Sequence, residues 1–182
     1  MPREASLIKA LDELAKRMSK KDYPEIEKEL KELSSDDLIA MLNAKSLKVI
    51  NVAAEFLHCR GDAAKLIRAL VNGEIRAATG RGAATNVLNW FGKSVPDSTR
   101  AMIHCIDDRS DGVVSNALFG IVFMGRRDLL PLLQAHLGKT KAASRRRKMF
   151  LDAIDALNTG NPSHYSPGFF DAKNVWQLRP SV

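Results

Sequence analysis

Apolar residues recur at three- and four-residue spacing through most of this chain, and that spacing predicts helices joined by polar turns. The clearest unit runs from Ser94 to Gly125. Pro96 and Asp97 suit a helix start, and Met102, Ile103 and Ile106 follow on one face. Asp107-Asp108-Arg109-Ser110 makes a polar turn with Ser110 as N-cap. The next helix carries Val113, Val114, Ala117, Leu118, Ile121, Val122 and Met124, with Phe119 and Phe123 on its remaining side. A helix apolar nearly all round must be buried nearly all round, which places this one at the middle of the molecule with helix pairs on both sides.

In chain order, Arg3 to Lys21 reads as an amphipathic helix with Leu7, Ile8, Leu11, Leu14, Ala15 and Met18 on one stripe. Asp22-Tyr23-Pro24 caps a short second helix through Leu33. From Ser35 the helix-pair pattern repeats, with a period near 33. The pairs are Asp36 to Ala44 with Ser46 to Arg60, Ala63 to Asn72 with Gly82 to Gly92, the central pair, and Asp128 to Leu137 with Lys141 to Leu157. Phe91, Met124 and Leu157, each closing a second helix, are 33 residues apart, and Leu57 precedes Phe91 by 34. The candidate N-caps Ser46, Thr79, Ser110 and Thr140 recur at intervals of 33, 31 and 30.

This pattern resembles the HEAT-like repeat superfamily, whose units are antiparallel helix pairs with a polar turn, a small residue inside the second helix and a Gly near its end. Ala54, Ala84, Ala117 and Ala153 suit the small position, and Gly61, Gly92 and Gly125 suit the end. The resemblance covers roughly residues 35–157. It departs from the usual pattern where the first helices lack a regular Pro and where Asn72 to Gly80 reads as an insertion. It implies an all-α fold, a right-handed α-solenoid of HEAT-like pairs, with residues 1–34 as an N-terminal helical cap; the alternative is an irregular helical bundle. After Leu157 the period stops at Thr159-Gly160-Asn161-Pro162, and residues 158–182 form an irregular tail. Tyr165, Phe169, Phe170, Val175, Trp176 and Leu178 make that tail too apolar for free solvation, so it is expected to fold back over the last pair; docking into a partner is the alternative.

With 182 residues, 45% of them hydrophobic, the chain suffices for one domain with a substantial core. No run reaches the roughly 18 apolar residues of a membrane span, and the charged opening is unlike a signal peptide. The two cysteines, Cys59 and Cys105, lie in apolar helical stretches and read as reduced core thiols, which fits a cytoplasmic protein. Of the net charge of +7, Met1 to Asp62 contributes −1 and the remainder +8, so the later part would attract an anionic partner.

A basic residue accompanies the capping hydroxyl at each turn: Lys45-Ser46, Thr79-Gly80-Arg81, Arg109-Ser110 and Lys139-Thr140-Lys141. Helix N-termini beside Lys or Arg favour phosphates and carboxylates, and Gly80-Arg81-Gly82 could add open backbone amides. Arg145-Arg146-Arg147-Lys148 extends this basic character, with Arg145 and Arg147 as contact candidates. Solvated turn charges are the plainer reading. Trp90, Phe169, Phe170 and Trp176 are candidate aromatic anchors.

His58-Cys59 and His104-Cys105 invite a metal site, but neighbours on a helix point about 100° apart and strong zinc spacings are missing, so no metal and no cofactor is expected. Nucleophile elbow, Walker loop and His-Glu-x-x-His motifs are lacking, and Ser163-His164-Tyr165 has no evident orienting acid. These readings together predict a non-enzymatic module that binds a protein partner on a concave face, as an adaptor or a bacterial toxin-neutralising immunity-type protein. The alternative is a nucleic-acid binder or an enzyme like the HEAT-like alkylpurine DNA glycosylases, for which Trp90, Asp97 and Trp176 are raw material.

Overall fold

The structure is a computed structural model and describes residues 32–91, 95 and 97–165. Among them it contains eight α-helices and no strand: α1 (Ser35–Met41), α2 (Leu47–Cys59), α3 (Ala63–Val71), α4 (Ala78–Phe91), α5 (Ser98–Cys105), α6 (Asp111–Phe123), α7 (Leu130–Lys139) and α8 (Arg145–Thr159). Short 3-10 turns cover Arg127–Leu129 and Pro162–His164. No helix among the described residues is long and apolar enough to cross a membrane. The chain divides into two compact units, Met1–Leu88 and Asn89–Val182.

In the first unit α1 packs against α2 and α3, and α2 against α3. Ser34 opens α1 with a capping box: its hydroxyl accepts from the Asp37 N–H while the Asp37 carboxylate accepts from the Ser34 N–H. Leu38, Leu42, Ile50, Leu57, Leu66, Leu70 and Leu88 are fully enclosed, as their periodicity predicts, and Met41 joins them. Asn43 ties the turn after α1 to the approach to α4, its amide oxygen accepting from the N–H groups of Arg76 (2.6 Å) and Ala77 (3.2 Å) and its amide nitrogen donating to the Glu74 carbonyl (3.0 Å). That anchorage starts α4 at Ala78, so Thr79, Gly80 and Arg81 lie inside a helix and do not form the expected turn.

In the second unit α6 touches both α5 and α8, and α8 also covers α7. Val113, Val114, Ala117, Leu118, Gly120, Ile121 and Val122 are buried, while Phe119 and Phe123 are half-buried and stacked on each other at 6.0 Å. The small positions Ala54, Ala84, Ala117 and Ala153 are all at most 4% exposed. Gly61 and Gly125 follow α2 and α6 with φ of 71° and 67°, the left-handed conformation that a helix end most readily gives to glycine. Gly92 and most of residues 1–34 lie outside the described residues.

One long-range contact recurs in both units. Just past α2, the Arg60 guanidinium donates to the Leu33 carbonyl ahead of α1; just past α6, the Arg126 guanidinium donates to the Thr99 hydroxyl in α5. Each pair is 27 residues apart, so in both cases an arginine at the end of a second helix clasps the start of the first. Arg126 also forks onto Asp128, which holds the Asp128 carboxyl below its usual range.

After Gly160 the chain turns back, and the Tyr165 hydroxyl donates to the Ser115 carbonyl of α6 at 2.9 Å. Burial pushes this phenol from its ordinary 10.0 up to about 12, the neighbouring Ser115 hydroxyl (3.3 Å) lowering it and Asp152 raising it. The folded chain therefore holds the proton more tightly than the unfolded chain. Its stabilisation is complete below about pH 10 and is lost as the pH rises towards 12. Denaturant unfolding of Tyr165→Phe should show a loss of about 1 kcal/mol near neutrality and a flatter alkaline limb than the parent. An unchanged alkaline limb would show that another group carries it.

Candidate functional site

The second unit contains an open cleft of about 420 Å3 between the α5–α6 turn, the end of α7 and the start of α8. Its floor is apolar, with Ile106 and Phe150 at 2% and 1% exposure. The His136 ring stacks on Phe150 at 5.8 Å. His136 Nδ1 faces the Leu132 carbonyl at 2.9 Å and Nε2 faces the Asp107 carboxylate at 3.0 Å.

On the other wall the Arg146 guanidinium donates to Asp111 at 2.8 Å through Nε and to the Arg109 carbonyl at 3.0 Å. Asp107 and Asp111 are thus both engaged by a basic group. Lys139, Lys141 and Arg145 complete the rim, all exposed, and among the described residues none makes an ion pair or hydrogen bond with their side chains. The cleft therefore has an apolar floor, two carboxylates that each face a basic side chain, and three available cations.

The turn that shapes this rim differs from expectation. Thr140 does not open the last helix; its hydroxyl donates to the Leu137 carbonyl and closes α7. Ser144 is the N-cap of α8, accepting from the Arg147 N–H at 3.1 Å, so α8 begins at Arg145 and Lys141 stands in the turn before it. Ala143 takes φ of 59° to make that turn. Arg147 does not line the cleft: its guanidinium donates to the Leu137 carbonyl at 3.0 Å and caps α7.

The remaining candidates are elsewhere. Arg109 is exposed beside the cleft and offers it only a backbone carbonyl for Arg146. Lys45 is exposed in the α1–α2 turn of the first unit. Arg81 belongs to the same unit and donates to the Ile75 and Arg76 carbonyls, steadying the loop before α4. Gly80 opens no anion nest, since it is buried where α4 presses on the Leu42 backbone. Trp90 lies in the last turn of α4; Phe169, Phe170 and Trp176 lie outside the described residues.

No family model, no curated protein and no solved structure matches this chain. Its function therefore has to be read from its own residues.

Three sequence readings change with the structure in hand. Cys59 is exposed and is not a core thiol, unlike Cys105, which is buried. His58 and Cys59 do converge, together with Glu55: the ligand atoms of all three lie within 4.8 Å of one another, because side-chain length overcomes the angle between neighbouring Cα positions. His164 also has an acid within reach, Asp155 Oδ2 at 2.6 Å from Nδ1, although the Ser163 hydroxyl donates to Asn161 and so supplies no nucleophile to that pair. Asp111, His136 and Arg146 are cleft residues that periodicity could not single out. Arg146 meets Asp111 across 35 residues, and nothing local marks the pair.

Proposed function

We propose that the protein is a non-enzymatic interaction module that binds an acidic protein partner, with the rim of Lys139, Lys141 and Arg145 as its anion-reading element. The observation that carries this reading is the contrast within one cleft: its two carboxylates are already engaged, and three neighbouring cations are not. Exposed lysines and arginines in excess of their local carboxylates attract and orient an anionic partner, and an apolar floor adds desolvated contact area. The size of the cleft suits one or two side chains, and the three cations gather at its rim. A nucleic-acid backbone is better served by a continuous basic stripe.

The architecture we read beneath this function is a right-handed stack of HEAT-like pairs, with an adaptor or an immunity-type inhibitor as the role. The period of 33 and the repeated arginine clasp support that reading.

A fluorescent peptide rich in Asp and Glu, and a duplex DNA of equal charge, serve as probes by anisotropy at low and high salt. Lys139, Lys141 and Arg145 changed together to Ala should remove about 0.6–3 kcal/mol of peptide binding, about a three- to hundredfold loss, with the fold retained. Equal peptide binding by parent and variant would refute the rim. Tighter, steeply salt-dependent binding of the duplex would move the protein to the nucleic-acid class.

A further inference from the structure

We infer that Glu55, His58 and Cys59 form a binding site for a borderline-soft divalent metal ion of the zinc class. They stand at positions i, i+3 and i+4 in the last turns of α2, which places them on one helical face. The buried face of α2 is carried by Val49, Ile50, Ala53, Ala54 and Leu57, so the three ligands lie on the solvent flank, with Glu55 and Cys59 exposed and His58 half-buried.

A carboxylate, an imidazole and a thiolate are each established zinc donors, and their mixture favours zinc-type ions over magnesium or calcium, which prefer oxygen alone. With metal–ligand bonds of about 2.0–2.3 Å, tetrahedral geometry asks for ligand atoms about 3.3–3.6 Å apart. The three donors already lie within 4.8 Å of one another, so closing on an ion brings them together by about an ångström. Three protein ligands leave the fourth position open to water. The C-terminal end of a 13-residue helix adds a favourable negative dipole for a cation. Among the described residues no other group of three such side chains is this close.

The chain has only two cysteines, and Cys105 is 2% exposed, so a metal–thiolate signal has one available origin. Full-length protein, reduced and free of any affinity tag, is titrated with Co2+ alone. The expected result is one Co2+ per chain, with the near-ultraviolet thiolate-to-cobalt charge-transfer band, displaced by added Zn2+. Cys59→Ser should abolish the band, and Glu55→Gln and His58→Ala should each weaken binding by about tenfold or more, with unchanged circular dichroism. Glu55 and Cys59 are exposed and His58 is only half-buried, so circular dichroism and urea unfolding of each variant verify the fold before binding is compared. A band that survives Cys59→Ser, affinity indifferent to Glu55 and His58, or half a metal per chain would each overturn the proposal.

Discussion

Gly80→Ala is expected to destabilise the first unit severely, although alanine is the better helix former by about 1 kcal/mol. A Cβ at this position would sit 1.9 Å from the Leu42 carbonyl oxygen and 2.8 Å from its carbon, with Ile75 Cγ2 at 3.1 Å. The obstructing atoms are backbone, so no rotamer change relieves the clash. Retreat is opposed as well, because Asn43, next to Leu42, is hydrogen-bonded to the loop that leads into α4. Overpacking of a core with room to adjust typically costs about 1–3 kcal/mol. Here the cost should exceed about 3 kcal/mol, a large share of the 5–15 kcal/mol typical of folded domains. Gly138→Ala is the control: that glycine lies in α7 with nothing within 4 Å of the added carbon, and the same substitution should stabilise by about 0.5–1 kcal/mol. Urea unfolding of the two variants should therefore move in opposite directions. A Gly80→Ala protein as stable as the parent would mean that α4 and the Leu42 backbone are not in contact.

Phe150→Ala should be nearly as damaging, and its effect should reach the cleft. Phe150 is 1% exposed on α8, the helix that touches both α6 and α7, and truncation of such a ring costs about 3–5 kcal/mol. The ring also supports His136, so its loss frees the imidazole that faces Asp107 and leaves that carboxylate to oppose an incoming anion. Acidic-peptide binding should then fall even at temperatures where the variant remains folded. Leu151→Ala on the same helix provides the comparison. At 46% exposure it should cost well under half as much and leave peptide binding unchanged. Equal losses in the two variants would show that Phe150 has no special place beneath the cleft.

Most helices were legible because periodicity reports burial directly. Val49, Ile50, Ala53, Ala54 and Leu57 face inward on α2, and the encircling apolar pattern of α6 matches its contacts with both α5 and α8. Helix starts were less legible. Thr140 and Ser144 are both acceptable N-caps; only the three-dimensional course of the turn gives Ser144 the Arg147 N–H and turns Thr140 towards Leu137. The stretch around Gly80 reads as a turn from glycine content alone, and it is helical because α4 fits closely against the Leu42 backbone and Asn43 organises the preceding loop. The position of Cys59 escaped for a related reason: in the last residue of a helix, the apolar pattern no longer says which side faces water.

By itself the sequence determined that this chain is helical, where most helices lie, and which small residues the core would accept, because those properties follow from spacings of three and four residues along one strand of chain. The tertiary structure decided which charges remain available. Arg81 and Arg147 were indistinguishable from Lys139, Lys141 and Arg145 as basic residues near turns, yet the first two are held by backbone carbonyls and the other three stand at an open cleft. Availability depends on what lies within about 3 Å after folding, and for Arg146 and Asp111 that partner comes from 35 residues away.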